Sequence, residues 1–236
     1  MGSHRGFAPL PGGSMTEQSS TTEALISEFT LALLSAEEGA AGDLMRGLLA
    51  RGATPEEVFE DLFAPAARRL GEMWETDECS FYEVTIGSGR IQCLMRELAA
   101  QLTNPALPGG TGRIMISLAP GEQHTLGTMI VAENLLRDGW DVHFLSSYNE
   151  EYLLDKVQET RYDCIGFSIS CTKHLNGLAR DIKRIRQLSS NRDIRVIVGG
   201  PLVTKDPEIV SRVGADGHAV DGTSAVHEAR RLCSIS

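Results

Sequence analysis

Glu122, His124 and Gly127 share one short stretch, Ala119-Pro-Gly-Glu-Gln-His-Thr-Leu-Gly127, and Ser168-Ile-Ser170 and Gly199-Gly200 follow later in the chain. A histidine offers an imidazole nitrogen to a transition metal. Such a ligand usually donates its other N–H to a carboxylate, which fixes the tautomer and raises the basicity of the metal-facing nitrogen. Glu122 is close enough in sequence to do this for His124, and Ser168 is expected to hydrogen-bond Glu122 in turn. Gly127, Gly199 and Gly200 lack Cβ atoms, so a long ligand could lie against bare backbone. A helix beginning near Thr125 would aim its first N–H groups at an anionic part of that ligand. Each feature is ordinary alone: loop histidines mostly pack or face solvent, and a Gly-Gly after a strand is usually a turn. At this spacing the set is specific.

The elements that must position these residues are legible from periodicity. Short apolar runs at 113–118, 141–145, 163–169 and 194–198 alternate with helical stretches at about 126–138, 150–160, 174–188 and 205–213. A brief run near Gly217–Val220 and a last helix close the chain. Strands alternating with helices mean βαβ units and a parallel sheet with helices on both faces. Five strands fit the flavodoxin-like (Rossmann-like) order 2-1-3-4-5, in which a ligand binds beyond the carboxyl ends of the strands, where the order reverses. The three stretches follow the first, third and fourth strands, so they fall on that rim.

The N-terminal half reads differently. From about Thr22 to Leu107 the pattern is helical, with segments near 22–35 and 40–51. A third starts at the cap Thr54-Pro-Glu-Glu57, and a fourth carries Ile86, Ile91, Leu94 and Leu98. Four such helices can bury one another as a bundle. Asn104-Pro-Ala-Leu-Pro-Gly-Gly-Thr-Gly112 reads as a linker, since its prolines and glycines stop a helix. The expected organisation is therefore a leader at 1–14, a helical cap at 15–108 with residues 16–22 frayed, and an α/β domain at 109–236. The leader is read from Gly-Gly-Ser before Met15.

The 236 residues carry a formal net charge of -10, which argues against a general nucleic-acid surface. No apolar run approaches the ~18 residues of a membrane span, and the reading is cytoplasmic. The 5 cysteines form no CxxC pair, so neither a disulfide framework nor a zinc pattern is indicated. Arg180, Lys183, Arg184, Arg186, Arg192 and Arg195 form a basic cluster, read as a solvated helix face because Ile182, Ile185 and Leu188 give the same helix a buried stripe. His174, just after the third strand, could approach the same rim but is read first as a surface histidine, and Trp74 by itself reads as a core aromatic at a helix end.

Glu122-x-His124-x-x-Gly127, then 40 residues, Ser168-x-Ser170, then 28 residues, Gly199-Gly200, resembles the DxHxxG…SxL…GG signature of the cobalamin-binding domain family. The resemblance implies base-off cobalamin, with His124 as the lower axial ligand and the nucleotide tail beside the glycines. Two departures stand out. Glutamate replaces the usual aspartate, as in some cobalamin photoreceptors, and Ser170 stands where leucine is usual. Leu70-Gly-Glu-Met-Trp74-Glu75 resembles the helical cap that precedes such domains in methionine synthase, corrinoid carriers and light-responsive regulators. It implies Trp74 over the upper corrin face. Light-responsive MerR-type regulators carry a histidine after that Trp and a Glu-His pair further on. Glu75, Val84 and Thr85 stand at those places, so bis-histidine capture is not implied.

A narrower likeness, over most of residues 60–226, is to the AerR/PpaA-type antirepressors of photosynthetic bacteria and the related domain of AppA, which takes haem. It implies a non-enzymatic, light-responsive regulator with adenosylcobalamin favoured over the hydroxo and methyl forms. Its partner would be a CrtJ/PpsR-type repressor protein, with no direct nucleic-acid binding and no membrane. Two alternatives are a haem sensor of the same fold and a corrinoid methyl carrier of a methyltransferase system. Trp74 disfavours the carrier, because it replaces a smaller residue and would cover the face used in methyl transfer.

Overall fold

The computed structural model describes residues 15–37, 39–101 and 111–234. The leader expected at 1–14, the boundary expected at 108/109 and most of the linker lie outside the described residues. The chain divides between Thr103 and Asn104 into two compact units.

The first unit is helical: α1 (Met15–Leu34), α2 (Ala40–Ala50), α3 (Pro55–Glu57), α4 (Ala64–Glu75) and α5 (Phe81–Gln101). Thr54 and Glu57 make the expected capping box, with Thr54 N–H donating to Glu57 at 2.8 Å and Glu57 N–H to Thr54 Oγ1 at 3.2 Å. Between α3 and α4 the helix widens to a π-helical turn, Val58–Phe63. Pro65 lacks the N–H that would continue the ladder, and a wider turn absorbs the break. That turn supplies Val58, Phe59, Leu62 and Phe63 to the core, where Phe63 stacks on Phe29 at 5.8 Å and meets Phe59 edge-on at 5.5 Å. α1 begins at Met15, where residues 16–22 were expected to fray. Those residues are polar, but no glycine or proline interrupts them.

The second unit is a five-stranded parallel sheet in the order β2-β1-β3-β4-β5, as the alternation predicts. Its strands are β1 (Arg113–Leu118), β2 (Asp141–Phe144), β3 (Cys164–Ser168), β4 (Arg195–Gly199) and β5 (Gly217–Ala219). α6 (Leu126–Arg137) and α11 (Gly222–Leu232) pack with Ile114, Ile116 and Ile197 on one face. α7 (Glu150–Glu159) and α8 (Leu175–Leu188) pack with Met115, Ile165 and Val196 on the other. The helix expected over 205–213 is two short ones, α9 (Pro201–Lys205) and α10 (Ile209–Val213). Pro207 separates them, because a proline disfavours helical geometry in the residue before it.

Leu118 of β1 pairs with Ser168 of β3, and Ser168 with Gly199 of β4. The three strand ends are therefore level. The stretches that follow them emerge side by side at the carboxyl rim, where the order reverses between β1 and β3.

Candidate functional site

Ala119-Pro-Gly-Glu122 leaves β1 as a tight turn. Glu122 N–H donates to Ala119 O at 3.0 Å, and Gly121 takes φ +80°. Proline at the second place and a left-handed glycine at the third are what a type II turn requires. The turn lifts Glu122 above the strand end and folds its side chain inward, leaving it 3% exposed, while the His124 side chain is 76% exposed.

The Glu122 carboxylate is held on both oxygens. Oε1 accepts from Gln123 N–H at 2.9 Å, His124 N–H at 3.2 Å and His124 Nδ1 at 2.6 Å. Oε2 accepts from Ser170 N–H at 2.8 Å and Ser170 Oγ at 2.5 Å. Burial alone would raise its pKa, but the bonds from Ser170, His124 and Gln123 outweigh that and pull it down to about 2. Glu122 is therefore an anion at neutral pH. An anionic carboxylate only accepts, so the 2.6 Å contact assigns the proton to Nδ1 and leaves the lone pair on Nε2. The carboxylate makes that nitrogen a better donor to a metal.

Ser168 was expected to hold Glu122; Ser170 does so instead. Ser168 is level with Leu118 at the strand end, and its carbonyl accepts from Ala119 N–H at 2.9 Å. Glu122 stands beyond that level and meets the serine two residues further along. The sequence could not separate them, since residues two apart on a strand share a face.

The glycines divide. A Cβ on Gly127 would meet nothing within 4 Å. One on Gly199 would lie 2.7 Å from Ala219 O, and one on Gly200 would lie 2.6 Å from Ile169 O. Gly200 also takes φ +100°. The bare backbone expected to cradle a ligand is open at Gly127, whereas at Gly199 and Gly200 the chain's own backbone needs the space. Thr125, the residue before α6, makes no side-chain cap. The first N–H groups of that helix are thus not taken by its own capping residue.

Trp74 stands near the end of α4 and is 46% exposed, so it is not a core aromatic. The basic cluster is largely paired, Arg180 and Arg184 with Glu150, and Arg186 and Arg195 with Asp216. Cys171 on the rim is a half-buried free thiol. A shallow cavity of about 400 Å³ bordered by Arg113, Asp141, His143 and Tyr162 lies toward the amino ends of β1 and β2, away from this rim.

Among the described residues no group of three or more His, Cys, Asp or Glu could hold a metal ion. One exposed imidazole nitrogen is too few for a bare ion, which takes about four ligands or more. It suits a metal whose other positions a macrocycle already fills. The B12 binding domain family matches residues 112–230, which include all five strands and the rim residues from Glu122 to Gly200.

The chain belongs to the B12-binding family.

A second B12 binding domain match covers residues 25–98, in the helical unit. The cofactor class is thus cobalamin, and the residues fit it: a tautomer-locked imidazole with its free nitrogen outward and open space at Gly127. Among curated proteins, the chain is 32% identical over 162 residues to an uncharacterized 20.5 kDa protein of the bchF-crtJ intergenic region of Rhodobacter capsulatus, covering 68% of this chain and 84% of that one. It is 24% identical over 179 residues to dimethylamine corrinoid protein 2 of Methanosarcina mazei, covering 75% of this chain and 83% of that one. The fold matches that of the Methanosarcina barkeri monomethylamine corrinoid protein with TM-score 0.74 at 16% identity, over 89% of this chain and 99% of that one.

Proposed function

We propose that this chain holds cobalamin base-off through His124 Nε2 and acts as a non-catalytic regulator, an antirepressor of a CrtJ/PpsR-type repressor of photosynthesis genes. The observation that carries the binding mode is the Glu122–His124 pair, with Nδ1 committed to the carboxylate at 2.6 Å and the rest of the side chain in solvent. Glu122 fixes the ring, Ser170 fixes Glu122, and Gly127 leaves room beside them. Gly199 and Gly200 would border the nucleotide tail, with Ser168 beside them. Trp74, an exposed indole where methyl carriers have a smaller residue, supports the regulator reading. The 32% identity to the bchF-crtJ intergenic protein supports it independently.

Adenosylcobalamin is the favoured form. When bound it supplies a light-cleavable Co–C bond, and the chain's part is to grip the lower face while a partner reads the change. Purified chain mixed with adenosylcobalamin should show a base-off, histidine-ligated spectrum, and its affinity for the repressor should differ between dark and light. Equal affinity in both would end the light-responsive reading, and a Soret band in the isolated protein would replace cobalamin with haem. The methyl-carrier reading is favoured by the dimethylamine corrinoid relative. Methyl transfer from the loaded chain to a supplied acceptor enzyme would establish it.

A further inference from the structure

We propose that His174 is a positioning residue for the axial-ligand loop: its ring packs on Gly121 and sets where His124 stands. The proposal rests on the cobalamin reading above and adds a residue to it.

A Cβ built on Gly121 would lie 2.6 Å from Cε1 and 2.7 Å from Nδ1 of His174. The ring therefore occupies the space that any side chain at 121 would need. Gly121 is the left-handed corner of the turn that delivers Glu122 and His124, so the contact falls where the loop changes direction. The ring is carried on a firm base. His174 closes the short 3₁₀ turn Thr172–His174, its N–H donating to Cys171 O at 3.1 Å, and leads directly into α8. Leu175 and Leu178 anchor that helix in the core. Three residues on, a Cβ at Gly177 would meet Pro120 Cβ at 3.3 Å. The first turn of α8 thus lies along both Pro120 and Gly121.

The same segment grips the loop a second way, because Ser170 holds the Glu122 carboxylate. Ser170 fixes the loop by hydrogen bonds at Glu122, and His174 fixes it by packing one residue earlier. Without the ring, the Pro120–Gly121 corner has room to swing, and the imidazole of His124 loses its aim while Glu122 keeps its two bonds from Ser170.

The test is titration of the full chain with hydroxocobalamin, reading affinity and the ratio of base-off, histidine-ligated to base-on spectrum. Removing a direct partner of a metal-ligating histidine costs about 10–100-fold in affinity, so a brace one step removed should cost about fivefold. His174→Ala should show that loss with a larger base-on share, and His174→Phe, which keeps a ring, should stay within about twofold of wild type. Gly121→Ala should weaken binding through the clash, and adding His174→Ala should recover part of the loss. That non-additivity is expected only of groups in contact. If His174→Ala fails to fold, His174→Leu carries the same comparison. Unchanged affinity and spectrum in His174→Ala, with His124→Ala losing its ligation, would overturn this proposal alone. Wild type and His124→Ala with the same spectrum would instead remove the axial reading on which it rests.

Discussion

Gly127 and the pair Gly199–Gly200 sit on one rim of one sheet and belong to one sequence pattern, yet the structure uses them in opposite ways. Space beside Gly127 is open, whereas the backbones of Ala219 and Ile169 press on Gly199 and Gly200. One position is bare because something else can come there. The others are bare because the chain is already there. A shared glycine signature therefore mixes two causes, room for a ligand and close approach of backbone, and substitution separates them.

The largest effect is expected at Gly200. Alanine there must adopt φ near +100° and push against Ile169 O, a combined cost of about 3 kcal/mol of stability without any cofactor. Urea unfolding of the cofactor-free chain measures it, and a Gly200→Ala variant as stable as wild type would break the distinction. Next comes Ser170. Ser170→Ala should weaken cobalamin binding about 10-fold or more by releasing Glu122, while Ser168→Ala stays within about twofold; the reverse ranking would return Ser168 to the relay. Gly127→Ala should stabilise the cofactor-free chain by about 0.5–1 kcal/mol, since alanine is the better helix former. It should also lower cobalamin affinity by filling the open space. A variant that loses stability would place Gly127 with the packed pair.

The smallest effect gives a baseline away from the rim. His143 lies 2.5 Å from the Tyr162 hydroxyl, and burial, then Lys156, holds its pKa below 6.5. A histidine lowered on folding binds its proton more readily when unfolded. Its stabilising contribution is thus complete above about pH 6.5 and is lost as pH falls from there toward the folded value. Urea midpoints at about pH 7.5 and 5.5 should differ less in His143→Gln than in wild type.

The sheet was legible because each strand is a short apolar run bounded by turn residues, and the order followed from alternation with helices. The π-helical turn at Val58–Phe63 was not, since its apolar spacing matches an ordinary helix and only Pro65 hints at the break. In the site, Glu122 and His124 were legible from types and spacing. The choice of Ser170 over Ser168 depends on how far the turn lifts Glu122 above the strand end, a height that no residue spacing encodes. The role of His174, between the crevice and the surface, was left open for a similar reason: its neighbour is Gly121, which leaves no side-chain pattern to pair with. Trp74 could be assigned to neither core nor surface before its exposure was known.

The claim that a corrin metal takes its lower ligand from this loop is tested most directly by adding cobalamin to wild type and to His124→Ala and comparing absorption spectra. The account predicts a histidine-ligated, base-off spectrum for wild type and its loss in the variant. Identical base-on spectra from the two proteins would contradict it.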